Sequence, residues 1–145
     1  MKIQQLTIFL ENKPGRLLKA YKVLAENGVS LLTLSLADTK DFGLLRLIIK
    51  DNDKAIKILE EAGYATVLSE VLAVEINDRP GALLPVLDAL ADNGINLEYT
   101  YAFAARGGEK AVLIIRVDDA EKAIAAINKN GCKVLSLEEF LQIID

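Results

Sequence analysis

Two short polar turns contain the residue types that could hold a charged ligand. They are Asn12-Lys13-Pro14-Gly15-Arg16-Leu17 and Asp78-Arg79-Pro80-Gly81-Ala82-Leu83, and each lies between a strand-like apolar run and a segment with helical spacing. The first N–H groups of a helix have no acceptor within the helix, and the positive end of the helix dipole lies beside them. The sequence therefore predicts two small sites for a carboxylate or another anion.

The composition argues against catalysis and against nucleic-acid binding. The chain of 145 residues has no histidine, the commonest general base and metal ligand, and its one cysteine, Cys132, has no partner for an intrachain disulfide. The net charge of −4 gives no electrostatic support for binding nucleic acid. We predict no catalytic residue, metal site or cofactor. Because no signal peptide or membrane-spanning run is visible, we also predict a cytoplasmic protein.

The elements around the turns occur twice. Each half reads as strand, helix, strand, strand, helix, strand, and each first helix stops at an Asn-Gly pair, Asn27-Gly28 or Asn93-Gly94. The halves align at an offset of about 66 residues at the turns and about 68 at the second helices. This duplication predicts an α+β fold of two ferredoxin-like βαββαβ domains with antiparallel sheets, residues 1–70 and 71–145.

The predicted boundaries follow from the apolar periodicity and the turn residues. In the first half we expect strands at 4–11, 29–37, 42–50 and 65–69, a helix at 15–27, a turn at 38–41, and a second helix capped by Asp51-Asn52-Asp53. In the second half we expect strands at 71–76, 95–103, 111–117 and 133–136, a helix at 81–93, a turn at 106–109, and a second helix capped by Asp118-Asp119. Ser136 and Glu139 form a capping-box pattern that predicts a short C-terminal helix.

The second strand of the first half has an unusual apolar pattern. Leu32, Leu34 and Leu36 alternate on one face while Val29 and Leu31 are apolar on the other, and a strand that is apolar on both faces needs cover on both sides. We therefore expect this strand, or the helix-free face, to meet another such unit. A bulge that shifts the register is the alternative. In the second half one face is predicted to carry Ile95, Leu97, Tyr99, Tyr101 and Phe103.

A βαββαβ unit with an Asp/Asn-x-Pro-Gly-x-Leu turn and an Asn-Gly helix end resembles an ACT domain, and both halves carry the pattern. The resemblance covers nearly the whole chain, and the chain is similar to tandem ACT proteins without an attached catalytic domain. It implies a regulatory amino-acid-binding protein, not an enzyme, with the ligand bound between ACT units beside the turn after the first strand. Asn12 stands where many ACT domains have Asp, as Asp78 does, so the two sites can differ.

The resemblance also implies the site residues. Backbone N–H groups of the turns suit the ligand carboxylate, and Asn12, Asp78 or Glu98 could accept from its ammonium group. The facing unit contributes from the start of its second strand. The implied ligand-binding residues are Asn12, Lys13, Pro14, Gly15, Arg16, Leu17, Leu31 and Leu32 in the first half, and Asp78, Arg79, Pro80, Gly81, Ala82, Leu83, Asn96, Leu97 and Glu98 in the second.

The expected partners are a free amino acid and a second copy of the chain in a homodimer, with no nucleic acid and no membrane. Two other functions remain open. One is a regulatory subunit that holds a partner enzyme of amino-acid metabolism, as small subunits of acetolactate synthase do by resemblance. The other is a small acylphosphatase-like hydrolase. Enzymes of that type use an arginine in the first turn, and Arg16 and Arg79 loosely match it. The simplest interpretation of the turns is that they only start helices, and the duplication argues against it.

Overall fold

The computed structural model describes residues 1–38, 41–105 and 107–144, and it contains both predicted repeats. The strands are β1 (Ile3–Glu11), β2 (Leu31–Asp38), β3 (Phe42–Ile49), β4 (Thr66–Asn77), β5 (Leu97–Ala104), β6 (Lys110–Val117) and β7 (Lys133–Val134). The helices are α1 (Arg16–Glu26), α2 (Asn52–Glu61), α3 (Leu84–Asp92), α4 (Ala120–Lys129) and α5 (Leu137–Ile144). The predicted α+β fold of two antiparallel repeats with a C-terminal helix is confirmed.

The chain divides into two compact units. The first unit is Gln4–Ser69, and the second unit consists of residues 1–3 and 70–144. The strand that connects the two units differs from the prediction. The strands predicted at 65–69 and 71–76 are a single strand, β4, because no glycine or proline interrupts the extended chain between Thr66 and Asn77.

The first unit has the strand order β2-β3-β1-β4, with β3 antiparallel to both β1 and β2. The helices α1 and α2 contribute apolar side chains to one core with the facing side of the sheet. That core consists of Leu6, Ile8, Leu10, Ala20, Leu24, Leu45, Leu47, Ile49, Ala55 and Leu59.

The second unit has the strand order β5-β6-β4-β7 and two layers of helix. One sheet face packs with α3 and α4 around Leu72, Val74, Leu113 and Ile115. The aromatic ring of Phe140 on α5, which is fully buried, meets the ring of Phe103 edge-on, with centroids 6.2 Å apart. Phe103 pairs with Val112, which faces away from the α3–α4 core, so α5 covers the opposite face of this sheet.

A β-bulge decides the apolar pattern of β2. The register shifts between Leu31 and Thr33, after which Leu34 and Leu36 pair with Leu47 and Leu45 of the helix-facing core. Leu31 therefore shares a face with Leu34 and Leu36, and the prediction that Leu31 lies opposite them was wrong. The alternative of a bulge is the one that the structure shows.

A matching bulge in β5 corrects the predicted aromatic row. The register shifts between Leu97 and Tyr99, so Leu97 packs against the α3–α4 core while Tyr99 pairs with Arg116 on the other face. Ile95 precedes the strand and belongs to the same core as Leu97. The predicted single face of five residues is split because the extra residue at the bulge reverses the alternation.

Several helix and strand ends differ from prediction by a few residues. The helix predicted from residue 81 begins at Leu84, because Gly81 has φ +78° and cannot be helical, and the turn before α3 is closed by the Ala82 N–H donating to the Arg79 carbonyl. The strand predicted at 133–136 has only two residues. The predicted turns at 38–41 and 106–109 include Thr39, Lys40 and Arg106, which lie outside the described residues.

The predicted caps are confirmed. Side chains of Asp51 and Asp119 accept from the N–H groups of Lys54 and Lys122, each at 3.1 Å. At α5 the Glu139 N–H donates to the Ser136 hydroxyl while the Glu139 carboxylate accepts from the Ser136 N–H, both at 3.2 Å. None of the described helices is both long and apolar enough to cross a membrane.

Candidate functional site

The turn after β1 forms one wall of a cavity of about 570 Å³ in the first unit, here called the first cleft. This volume lies within the range of roughly 300 to 1,000 Å³ that is usual for small-molecule sites. Its lining residues are Lys13, Gly15, Leu17, Leu18, Tyr21, Leu31 and Leu34. The turn, α1 and β2 of the first unit therefore meet at one place.

Glycine at position 15 is required by the backbone. Gly15 has φ +81°, immediately before α1, and a Cβ built there would meet no atom within 4 Å. The open space means that the turn leaves room for a ligand beside the backbone. Among the described residues, no backbone oxygen accepts from the Gly15 N–H. The Arg16 N–H donates to the Lys13 carbonyl at 3.4 Å, so the Gly15 donor and the N–H groups of Leu17 and Leu18 are the ones available to an anion.

The two cationic side chains of the first turn share one carboxylate. The Glu11 carboxylate accepts from Lys13 Nζ at 3.2 Å and from Arg16 Nη2 at 3.3 Å. The hydrogen bond from Lys13 and the nearby charge of Arg16 hold the pKa of the Glu11 carboxyl below its ordinary value. Arg16 makes this contact through one nitrogen of its guanidinium. The backbone N–H groups add donors for an anion here.

Not every residue implied by the resemblance lies at the first cleft. Lys13, Gly15, Leu17 and Leu31 do line it, whereas Asn12, Pro14 and Arg16 lie in the turn outside the lining and Leu32 is the bulge residue of β2. Sequence reasoning missed Leu18, Tyr21 and Leu34. Helical spacing places Leu18 and Tyr21 on the apolar stripe of α1, the face that an amphipathic helix buries, yet they are 69% and 46% exposed.

The second turn borders a different cavity, here called the second cleft, also of about 570 Å³ and contained in the second unit. Arg79, Pro80, Gly81 and Ala82 line it, while Asp78 and Leu83 do not. Across the cleft lies the loop between α4 and β7 rather than the start of β5. The residues that sequence reasoning missed are Glu75, Ile76, Asn77, Pro85, Lys110, Asn130, Gly131, Cys132 and Lys133.

The predicted residues at the start of β5 are engaged within the second unit. Asn96 donates its N–H to Asp118 Oδ1 at 3.1 Å, Leu97 packs against the core, and Glu98 Oε2 lies 3.3 Å from Arg116 Nε. These contacts hold the strand start in place. None of the three lines the second cleft.

The chemistry available at both clefts is that of binding. The first cleft combines backbone donors with an apolar wall, and the second combines cationic side chains with amides. Burial raises the pKa of the Cys132 thiol, which disfavours the thiolate that a nucleophile requires. Among the described residues, no group of three histidine, cysteine or carboxylate side chains could hold a metal ion.

These features define a class of small protein built from two βαββαβ repeats, each with a cleft beside its first strand-to-helix turn. The chain belongs to the family described as the ACT domain pair, whose model matches residues 1–144. The ACT domain is a regulatory type of domain.

Solved structures share the fold. The chain is similar to protein BT0572 from Bacteroides thetaiotaomicron, with 36% identity, a TM-score of 0.87, and coverage of 97% of this chain and 96% of that one. It is also similar in fold to the regulatory subunit of aspartate kinase from Thermus thermophilus, with 20% identity, a TM-score of 0.64, and coverage of 88% and 91%. The corresponding subunit from Thermus flavus gives 21% identity, a TM-score of 0.63, and coverage of 88% and 92%. None of the curated proteins matches this chain.

Proposed function

We propose that this chain is a cytoplasmic regulatory protein that binds a free amino acid at the turns after the first strands of its ACT domains and has no catalytic role. The observation that carries the proposal is the first cleft. There an open N–H donor at Gly15 lies beside an apolar wall formed by α1 and β2. A carboxylate next to an apolar group is the chemistry of an amino acid with an apolar side chain.

The first cleft fits a ligand that carries a carboxylate. Glu11 pairs with both Lys13 and Arg16, so these three side chains keep one net positive charge beside the partial positive charge of the N–H groups. A ligand carboxylate fits these donors, and the leucine side chains and the Tyr21 ring suit an aliphatic or aromatic ligand side chain. The implied contacts of Asn12 to Leu17, Leu31 and Leu32, and of Asp78 to Leu83 and Asn96 to Glu98, belong to this proposal. In it, the second strand of a facing unit completes the site.

A homodimer is the second part of the proposal. Strand β2 is the outermost strand of the first unit's sheet, and its side chains Leu34 and Leu36 are each 49% exposed. An edge strand with exposed leucines favours pairing with another chain. A ligand bound beside β2 would then shift the assembly by its different affinity for the separate and paired states.

The same exposed edge supports a second candidate function. It could hold a partner enzyme of amino-acid metabolism, and similar folds occur in proteins named as regulatory subunits of aspartate kinase. Under this proposal the chain co-purifies with an enzyme whose capture is lost when Leu36 is replaced by lysine. Under the first proposal the ligand acts on the chain alone.

The test is a thermal-shift panel of the twenty amino acids, followed by calorimetry of any hit. A ligand at 100 times its Kd stabilises the folded state by about 2.7 kcal/mol. The matched variants are Gly15→Ala and Gly63→Ala, because both glycines have positive φ, +81° and +90°, and both have open space where the alanine Cβ would lie. Both substitutions strain the backbone, but only Gly15 lines the first cleft.

We expect one amino acid or one related group to stabilise the native chain and the Gly63→Ala variant equally, and to bind Gly15→Ala at least about tenfold more weakly, a loss of about 1.4 kcal/mol. Silence across the panel would contradict the amino-acid proposal and favour the partner-enzyme function. Equal binding by both variants would contradict the first cleft as the site.

A further inference from the structure

The second cleft differs from the first in charge. Three cationic residues, Arg79, Lys110 and Lys133, line it with one carboxylate, Glu75, although the whole chain carries a net charge of −4. Glu75 compensates Lys110, whose Nζ lies 2.7 Å from the carboxylate. Lys133 is held by Glu139, outside the lining, at 2.5 Å. No ion pair of Arg79 is found within the described part of the chain.

The two repeats provide an internal comparison at these positions. Arg79 corresponds to Lys13 at the offset of 66, and Asn77 corresponds to Glu11 (79 − 13 and 77 − 11 both equal 66). In the first unit Glu11 forms an ion pair with Lys13. In the second unit the carboxylate is replaced by the amide of Asn77. Among the described residues Arg79 has no ion pair, whereas Lys13 in the first turn has one. The carboxylate of the second turn, Asp78, stands at the place of Asn12 and does not line the cleft.

The other cations of the second cleft are also absent from the first unit. The strand pairings identify which residues of the two units correspond. Asn77 pairs with Lys110 as Glu11 pairs with Phe42, so Phe42 stands where the second unit has Lys110. Glu75 pairs with Lys133, while Phe9 donates its N–H to the carbonyl of Ala65 at 3.2 Å, so alanine stands in the place of Lys133.

The walls of the second cleft are braced. Asn130 Nδ2 donates to the Pro85 carbonyl at 2.6 Å, which ties the end of α4 to the first turn of α3. Strand β7 begins only at Lys133, so it pairs with Val74 and Glu75, and the residues before it do not pair with Ile76 and Asn77. The short strand leaves the space that the cleft occupies.

We propose that the second cleft binds a small dianion, of the dicarboxylate or phosphate type, and is thus a second ligand site of different chemistry from the first cleft. The planar guanidinium of Arg79 suits two-point recognition of a carboxylate or phosphate. The Gly81 N–H, for which no backbone acceptor is found among the described residues, and the ammonium groups of Lys110 and Lys133 complete the cationic lining. This inference confines the proposed amino-acid site to the first turn, because it assigns the second turn to a dianion. Its test does not depend on the amino-acid panel.

The thiol of Cys132 can report whether a ligand occupies the second cleft. Cys132 is the only cysteine, it is half-buried, and it lines the second cleft. A ligand in the cleft covers the thiol and slows its reaction with a disulfide reagent. The probes are succinate and inorganic phosphate, each titrated at constant ionic strength, with N-acetylcysteine as the correction for effects on the reagent.

We expect a saturable slowing of the Cys132 reaction by about fivefold or more with at least one probe below about 20 mM. The two probes then tell whether carboxylate or phosphate is preferred. The protection should be lost in Arg79→Gln and in Asn77→Glu. The second substitution places a carboxylate where the first unit has Glu11, the ion-pair partner of Lys13. The matched control Lys13→Gln, at the equivalent position of the first unit, should keep it.

The proposal is overturned if neither probe protects the thiol, or if Arg79→Gln and Asn77→Glu are protected as well as the native chain. An unchanged thermal midpoint and unchanged far-ultraviolet circular dichroism will show that each variant is folded. The thiol rate reports only on the second cleft, so its result stands whether or not the amino-acid panel finds a ligand.

Discussion

At the scale of single residues, the two turns differ in where their charges lie. Glu11 lies beside the first turn and pairs with Lys13 and Arg16, while Asn77 holds the corresponding place in the second unit and carries no charge. Both turns share the positive-φ glycine and the open N–H group. In our proposals the shared backbone lets both turns bind an anion, and the different side chains make them choose different ones.

The ion pair at the start of α5 should make stability depend on pH. The hydrogen bond from Lys133, together with the bonds to Ser136, lowers the pKa of the Glu139 carboxyl from its ordinary value of 4.5 to about 2. A lowered pKa in the folded state means that the stabilisation is fully present above pH 4.5 and is lost as the pH falls towards about 2. Glu139→Gln should therefore lower the thermal midpoint at pH 7 and lose most of that effect near pH 2.

Differential scanning calorimetry of the native chain and Glu139→Gln across this pH range checks the prediction. Glu138→Gln is the control, because Glu138 lies in the same helical turn and is exposed. A gap between native and Glu139→Gln midpoints that stays constant from pH 7 to pH 2 would contradict the assigned cause.

Which residues line the first cleft was only partly predictable from sequence. Gly15 and Leu31 line the first cleft and are among the residues that the resemblance implies, although the resemblance assigns Leu31 to a facing unit. Helical spacing places Leu18 and Tyr21 on the apolar stripe of α1, but spacing does not give the width of the buried part of that stripe. Only the structure shows that Leu24 is buried while Leu18 is largely exposed.

At the scale of elements, α5 covers the sheet face of the second unit that lies opposite α3 and α4. Phe140 has no exposed surface and meets Phe103 edge-on. Removing a buried phenylalanine side chain leaves a cavity, so Phe140→Ala should lower the free energy of unfolding by about 3 to 5 kcal/mol. Leu137→Ala in the same helix should change it by less than about 0.5 kcal/mol, because Leu137 is 52% exposed.

Chemical denaturation of the two variants measures these effects. If Phe140→Ala costs no more than Leu137→Ala, then α5 is not an integral part of the second unit. The capping box at Ser136 and Glu139 allowed this helix to be predicted from sequence, because its two reciprocal hydrogen bonds need a fixed spacing.

The bulges in β2 and β5 determine which way the side chains of these strands face, and this could not be predicted from the sequence. Order and type of the strands and helices follow from periodicity and turn residues, and they were predicted well. The facing of Leu34 and of Tyr99 depends on one extra residue in each edge strand, which reverses the alternation without a clear sequence signal. The equivalent position of the two bulges within the repeats is visible only in the strand register.

At the scale of the whole molecule, the exposed leucines of β2 bear on assembly. We expect sedimentation velocity to give a particle of twice the chain mass of 15.8 kDa. Leu36→Lys puts a charge on the edge strand and should convert the dimer to a monomer, since a charged edge opposes strand pairing. Ala102→Lys, at the equivalent exposed position of β5, is the matched control and should leave the dimer intact.

A native chain that sediments as a monomer at micromolar concentration would contradict the homodimer. A dimer that persists in Leu36→Lys and dissociates in Ala102→Lys would place the interface in the second unit instead. Either result leaves the fold and the family unchanged, since both rest on the chain itself.

The central claim is that backbone N–H groups of the first turn hold an amino acid, and residue-resolved nuclear magnetic resonance tests it most directly. Each of the twenty amino acids is titrated into the ¹⁵N-labelled chain while the amide signals are followed. We predict that one amino acid or one related group shifts the amides of Gly15, Leu17 and Leu31 together along a single saturation curve. Saturable shifts confined to other residues, or none with any amino acid, would contradict the account.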